Sequence, residues 1–165
     1  METKMKNIKV VTRCTYRSLG SILQSYGLQK QLSEIGYNSI VLINKKEKEF
    51  VEQKASSIKG ICKKIFEKFV LKDVKSAYLK RTNFILNNIN FNYFENYEDL
   101  VLNEKRDNCD IYISGSDQVW KPDNCSPIYF LEFVKNKRCI SYAASMGKSI
   151  VPEHNKLKFK KMLDN

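Results

Sequence analysis

Asp110-Ile-Tyr-Ile-Ser-Gly-Ser-Asp-Gln-Val-Trp-Lys-Pro122 is the stretch on which the reading of the fold turns. Ile111, Tyr112 and Ile113 suit a pleated, half-buried surface and predict a strand. Ser114-Gly115-Ser116-Asp117-Gln118 then breaks that strand with a glycine, two hydroxyls, a carboxylate and an amide. Trp120, the only tryptophan, follows at once, and Pro122 closes the segment. A buried strand that ends in small polar residues beside a large aromatic is a common way to build a binding site in an α/β protein. The same pattern also fits a polar turn capping a helix, with Trp120 as ordinary core.

Working outward, Ile8 to Thr12 predicts a first strand, short and β-branched. After a loop, Gly20 opens a predicted helix to about Ile35, with Gly36 in the left-handed capping position. Leu28, Leu32 and Ile35 share one face of it. Ser21 and Ser25 continue that face and are small enough to let the helix approach a sheet. Ile22, Leu23 and Tyr26 lie on another side, so the first two turns read as buried on more than one face. Tyr37 to Ile43 is a second strand. Strand, helix and strand form one βαβ unit, which implies parallel pairing with a right-handed crossover.

Residues 45–90 read as a long, mostly helical insert. Ile58, Cys62, Ile65, Phe66 and Phe69 recur at spacings of three and four between lysines. A second helical piece follows Asp73, a predicted N-cap. Asn87 to Asn92 reads as a turn or loop, and Phe91, Tyr93, Phe94 and Tyr97 as a flap of packing aromatics. A short helical turn from Tyr97 leads to the Asp110 strand, which is then the third. Tyr129-Phe-Leu-Glu-Phe133 is a short apolar run. Arg138 to Ala144 predicts a fourth strand, which also ends in small residues, Ala143-Ala144-Ser145-Met146-Gly147. Pro152 and Glu153 open a last helix through Leu163. The expected fold class is α/β, a single Rossmann-like domain over 1–165 with a parallel sheet and flanking helices.

Composition narrows the function classes. The 165 residues suffice for one domain with a real core. Lys and Arg outnumber Asp and Glu 29 to 18, a net charge of +11. Between Lys45 and Arg81 the balance is twelve to five, so most of the excess is local. A basic region can meet nucleic acid, an anionic membrane or an acidic polymer, but no nucleic-acid recognition motif accompanies it, and a solvated helix face explains it as well. Cys14, Cys62, Cys109, Cys125 and Cys139 form no Cys-x-x-Cys pair, and His154 is the single histidine, so no zinc-type set assembles and no metal is expected. No apolar run has the length of a membrane span, and the N-terminus has no signal-peptide core. Scattered thiols suit a reducing compartment, and a cytoplasmic location is expected.

Three segments taken together go beyond pattern: Gly20-Ser-Ile-Leu-Gln-Ser-Tyr-Gly-Leu-Gln29, Gly115-Ser-Asp-Gln-Val-Trp-Lys-Pro122 and Ile140-Ser-Tyr-Ala-Ala-Ser-Met-Gly147. In this order, with Tyr129-Phe-Leu-Glu-Phe-Val134 before the last, they resemble the polysaccharide pyruvyl transferase family. The resemblance implies a glycosyltransferase-B-like architecture, two Rossmann-like halves facing each other across a cleft. It implies transfer of pyruvate from phosphoenolpyruvate to sugar hydroxyls as a ketal, in cell-surface polysaccharide synthesis. Phosphoenolpyruvate and a saccharide acceptor are the implied partners, with no cofactor. The resemblance covers nearly the whole chain but only about the first half of such a domain. It therefore implies a truncated protein, inactive alone or completed by a separate C-terminal half. The alternative is a non-catalytic remnant or binding module of the same half-fold. The family usually carries asparagine and tyrosine just before the glycine of the first segment, where this chain has Ser18 and Leu19, which would alter any substrate contact there.

Ketal formation needs cations or helix-terminal amides for the phosphate, a proton for the enol carbon, a base for the sugar hydroxyl and a polar environment for the charge at C2. Arg13 and Arg17, with Gly20 and the amides of Ser21 and Ile22 at a helix start, could form an anion site. They could equally be a plain glycine-started helix with exposed arginines. Gln24 on the same segment is a further substrate-binding candidate. Asp117 is the candidate catalytic carboxylate, or else an N-cap for the turn from Gln118 to Trp120. Gly115, Ser116 and Gln118 are candidate substrate-binding residues, and Trp120 either stacks on a sugar or plugs the core. Ser145 and Gly147 should leave their strand at the same sheet edge, because strand C-termini converge on the ligand crevice of an open parallel sheet.

Overall fold

A computed structural model of the chain describes residues 6–16, 18–46, 72–123 and 125–164. The expected helical periodicity at Ile58, Cys62, Ile65, Phe66 and Phe69 lies outside the described residues, as do Arg17 and the side chain of Asp73. The elements are β1 (Asn7–Val11), α1 (Leu19–Glu34), β2 (Asn38–Asn44), α2 (Lys72–Asn88), β3 (Phe91–Phe94), α3 (Tyr97–Arg106), β4 (Ile111–Gly115), β5 (Arg138–Tyr142) and α4 (Glu153–Leu163). The five strands form one sheet in the order β3-β2-β1-β4-β5. Every pair is parallel. This is a Rossmann-like α/β sheet. β1 is its central strand, with Ile8 opposite Ser39 on one side and Ile111 on the other.

Strand alternation sends side chains to two cores. Ile8, Val10, Val41, Ile43, Ile111 and Ile113 meet Ile22 and Leu32 of α1 and Ile85 of α2. Val11, Leu42, Phe94 and Tyr112 face the other way and meet Leu100 of α3 together with Leu131 and Phe133. The apolar run before β5 thus forms turns that cover the second face. Ser21 and Ser25 are both buried, as close approach of α1 to the sheet requires. Leu23, expected to be buried, is 48% exposed, and Ile35 is 66% exposed because it is the C-cap residue and has left the helix face. Gly36 has φ +86. Its amide donates to Ser33 O at 3.0 Å, and Tyr37 N donates to Leu32 O at 2.9 Å, the paired bonds of a Schellman ending.

Two expectations change. Phe91–Phe94 is not a flap but a strand, β3, paired with β2 from Val41–Phe91 to Asn44–Phe94. The Asp110 strand is therefore the fourth, not the third. Gln29 of α1 fixes the entry to β3: its amide accepts from Asn90 N at 2.8 Å and donates to Asn90 O at 2.9 Å. The turn expected at Tyr97 is a ten-residue helix, α3, capped by Asn96 Oδ1, which accepts from Asp99 N at 2.9 Å. Glu98 and Asp99 at its start and Lys105 and Arg106 at its end complement the helix dipole.

Lys9 points from the middle of β1 into the second face, where an unpaired ammonium would be costly. Asp107, just past α3, resolves this. It accepts from Lys9 Nζ, from Lys137 Nζ at 2.5 Å, from Tyr112 OH at 2.8 Å and from Cys109 N at 3.1 Å. Burial alone would raise the Asp107 pKa; the hydrogen bonds from Lys137, Lys9 and Tyr112 outweigh it and hold the carboxyl at about 2. Because the folded pKa lies below the ordinary value, the stabilisation is complete above about pH 4 and is lost as pH falls towards 2. Chemical denaturation at a series of pH values should show stability falling by about 2 kcal/mol over that window. Asp107→Asn should flatten the fall and cost about 3 kcal/mol at pH 7, because Lys9 loses its counter-charge and Lys137 keeps only Glu104 at 3.8 Å.

Candidate functional site

The loops after β4 and β5 are laced together by backbone hydrogen bonds that continue the sheet beyond its strands. Ser116 N donates to Tyr142 O at 2.8 Å, Ser145 N to Asp117 O at 3.0 Å, and Trp120 N to Ser145 O at 3.1 Å. This lacing requires a glycine at 115. Gly115 has φ +123, and a Cβ there would lie 2.3 Å from Tyr142 O. Two non-glycine residues beside it also adopt left-handed backbone, Ser116 at φ 56 and Ala143 at φ 48. Such conformations persist only when their surroundings hold them, and they concentrate at functional sites.

The lacing brings Asp117, Gln118, Ser145 and Gly147 to one place, at the C-terminal ends of β4 and β5. Asp117 is half-buried, and its Oδ1 accepts from Gln118 N at 2.6 Å. Gln118 is exposed and lies against Gly147, where an added Cβ would meet its carboxamide at 2.6 Å. Ser145 is exposed beside them. Ser116 is only 8% exposed, yet its hydroxyl has no hydrogen-bond partner. Trp120 is built into packing. It stacks on Phe130 with ring centroids 5.6 Å apart, and its Nε1 donates to Tyr129 O at 3.1 Å. Phe159 and Met162 of α4 join the same cluster.

The start of α1 differs from the anion site that the sequence suggests. Ser18 is the N-cap, its Oγ accepting from Ser21 N at 3.2 Å, while Ser18 O accepts from Ile22 N at 3.2 Å. The two amides expected to meet an anion are therefore spent on the cap, which leaves those of Leu19 and Gly20. The Ser21 hydroxyl is an internal fastener: it donates to Ser18 O at 2.9 Å and accepts from Thr15 N at 3.4 Å. Gln24 stands exposed on the second turn of α1 and makes no hydrogen bond among the described residues. Exposed His154 belongs to α4, away from this arrangement in the chain.

Thr12 is a residue that sequence reasoning missed. It follows β1, is 5% exposed and, like Ser116, has a hydroxyl with no partner. Nothing in the sequence distinguishes it from any other threonine at a strand end, because the signal is burial without a partner. Among the described residues no cluster of His, Cys, Asp and Glu could hold a metal ion, and no helix is long and apolar enough to cross a membrane.

In open, all-parallel α/β sheets ligands bind in the crevice outside the strand C-termini, which is where these polar loops gather. The model of the polysaccharide pyruvyl transferase family matches residues 19–165, and the chain belongs to that family. No curated protein and no solved structure matches it.

The lacing makes a sharp forecast for glycine replacement. Gly115→Ala should cost about 2 kcal/mol or more, since strained backbone and a backbone clash coincide. Gly36→Ala, with φ +86 and nothing within 4 Å of the added Cβ, should cost about 1 kcal/mol. Urea unfolding of both variants measures the difference; equal losses would mean that Gly115 does not hold the two loops together.

Proposed function

We propose that this chain contributes one wall of a site that transfers pyruvate from phosphoenolpyruvate to two hydroxyls of a saccharide. The observation that supports it most is the laced pair of loops, which presents Asp117, Gln118 and Ser145 together with the unpartnered Ser116 hydroxyl, in a chain of this family. In the reaction C3 of the enol gains a proton and C2 forms a bond to each sugar oxygen. The bond from C2 to the phosphate oxygen breaks. Of the two hydroxyl protons, one balances C3 and the other leaves with phosphate. Asp117 is the group in this wall that can accept a hydroxyl proton, and Gln118 and Ser145 can orient the sugar by hydrogen bonds. Gly115 and Gly147 contribute by letting the two loops and the Gln118 amide sit close. Trp120 supports the loop from beneath.

The opposite wall is proposed to come from a second Rossmann-like half, as in a glycosyltransferase-B-like arrangement. In support, all five residues of β5 are exposed, Tyr142 by 54%, and Leu157 of α4 by 69%. A parallel strand normally has both faces covered. Three buried thiols without disulfides, Cys14, Cys109 and Cys125, suit a reducing, cytoplasmic setting.

Titration of the isotope-labelled chain with phosphoenolpyruvate and with acceptor saccharides tests the reading. The saccharides should move amide shifts at 115–118 and 145–147; a saccharide response confined to other residues, or none, would sink it. The chain by itself should form no ketal methyl signal in proton NMR. Supplied with a C-terminal half from the same family it should do so, and Asp117→Asn should then lower kcat about 100-fold with little change in KM. Saccharide binding at these loops with no transfer in either setting would instead indicate a binding module.

A further inference from the structure

A second feature lies at the other side of β1. A cavity of about 120 Å³ opens outside the C-terminal ends of β1, β2 and β3, roofed by the turn around Ser126 and Tyr129. Among the described residues its polar lining is Thr12, Arg13, Thr15, Asn44 and Ser126, with no Asp or Glu. Arg13 makes no ion pair among the described residues. Asn44 Oδ1 accepts from Lys46 N at 2.9 Å, which leaves the Asn44 amide nitrogen to act as a donor. Thr12 is 5% exposed and its hydroxyl has no partner. Buried hydroxyls without partners are rare, and each calls for an explanation.

We propose that this cavity is an oxyanion subsite that takes the phosphate or carboxylate group of a small ligand, with Thr12 and Arg13 as its principal donors. A guanidinium and several neutral donors, with no carboxylate among the described lining residues, form a lining selective for negative oxygen. The orphaned Thr12 hydroxyl is the group such an oxygen would satisfy. The size suits a phosphate- or pyruvate-sized group. The position, outside the strand C-termini but on the β2 and β3 side, sets it apart from the laced loops of β4 and β5. Naming phosphoenolpyruvate as the occupant rests on the proposed function; the anion selectivity does not.

Thermal unfolding and calorimetry on the 165-residue chain, at fixed ionic strength, test this with four probes: inorganic phosphate, pyruvate, phosphoenolpyruvate and a neutral methyl glycoside. Anions should raise the midpoint and the glycoside should not. Protection by phosphate alone or by pyruvate alone assigns the subsite to that group. Arg13→Gln should weaken anion binding by about tenfold or more. Thr12→Val should weaken it severalfold without lowering the midpoint of the unligated chain, since it removes a hydroxyl that has nothing to bond. Anion binding that is unchanged in both variants, no anion binding at all, or a Thr12→Val chain that melts lower would each overturn the proposal. Unchanged binding with a lowered Thr12→Val midpoint would identify the cavity as a water site. If phosphate binds here while saccharides leave 115–118 unmoved, the subsite stands and the pyruvyl-transfer reading falls; the reverse result separates them the other way.

Discussion

The structure depends on β1 being paired on both sides. β2 lies along one edge and β4 along the other, in registers that set Val10 beside both Val41 and Ile113. Because the chain leaves β1 towards β2 and returns on the far side as β4, the two exits diverge above the middle of the sheet. That divergence opens a crevice at the strand C-termini, as in other doubly wound sheets. The same central placement leaves Lys9 largely buried, so the Asp107 cluster supplies the counter-charge that the topology calls for. The cluster also ties α3 and the residue before β5 to the sheet centre through Lys137.

Polar satisfaction identifies much of the first segment as scaffold. Ser18, Ser21, Ser25 and Gln29 belong to the family-like first segment or lie beside it, and the hydrogen bonds found for them are structural. They cap α1, fasten the loop before it and pin the start of β3. The hydroxyls of Thr12 and Ser116, at the strand C-termini, are buried and unmet, as are those of Ser39 and Thr82 elsewhere among the described residues. A motif residue that has used its hydrogen bonds internally is a poor ligand for anything else, and one that has not is available.

The sheet was legible where local pattern and tertiary outcome agree. The β-branched runs of β1 and β2, the glycine ending of α1 and the break after β4 each carry a strong local signal. β3 was hidden because asparagines flank and interrupt it, and asparagine favours turns. Its strand character comes from pairing with β2 and from Gln29, neither of which is local. For the candidate site, the gathering of Asp117, Gln118, Ser145 and Gly147 followed from strand-end convergence alone. The use of the Ser21 and Ile22 amides by Ser18 did not, since a cap competes with a ligand for the same donors. Trp120 could be read either way until Phe130 was seen against its face.

The separation of β1 from β4 along the chain has a consequence for synthesis. Asn7 N donates to the side chain of Asp110 across 103 positions, and the register beside it joins Ile8 to Ile111. The centre of the sheet therefore cannot close while the ribosome is still making the first hundred residues. At about 5–20 residues per second, β1 waits roughly 5–20 s for its second neighbour. For that time one edge of the central strand is open, and the nascent chain is an apt client for a holding chaperone.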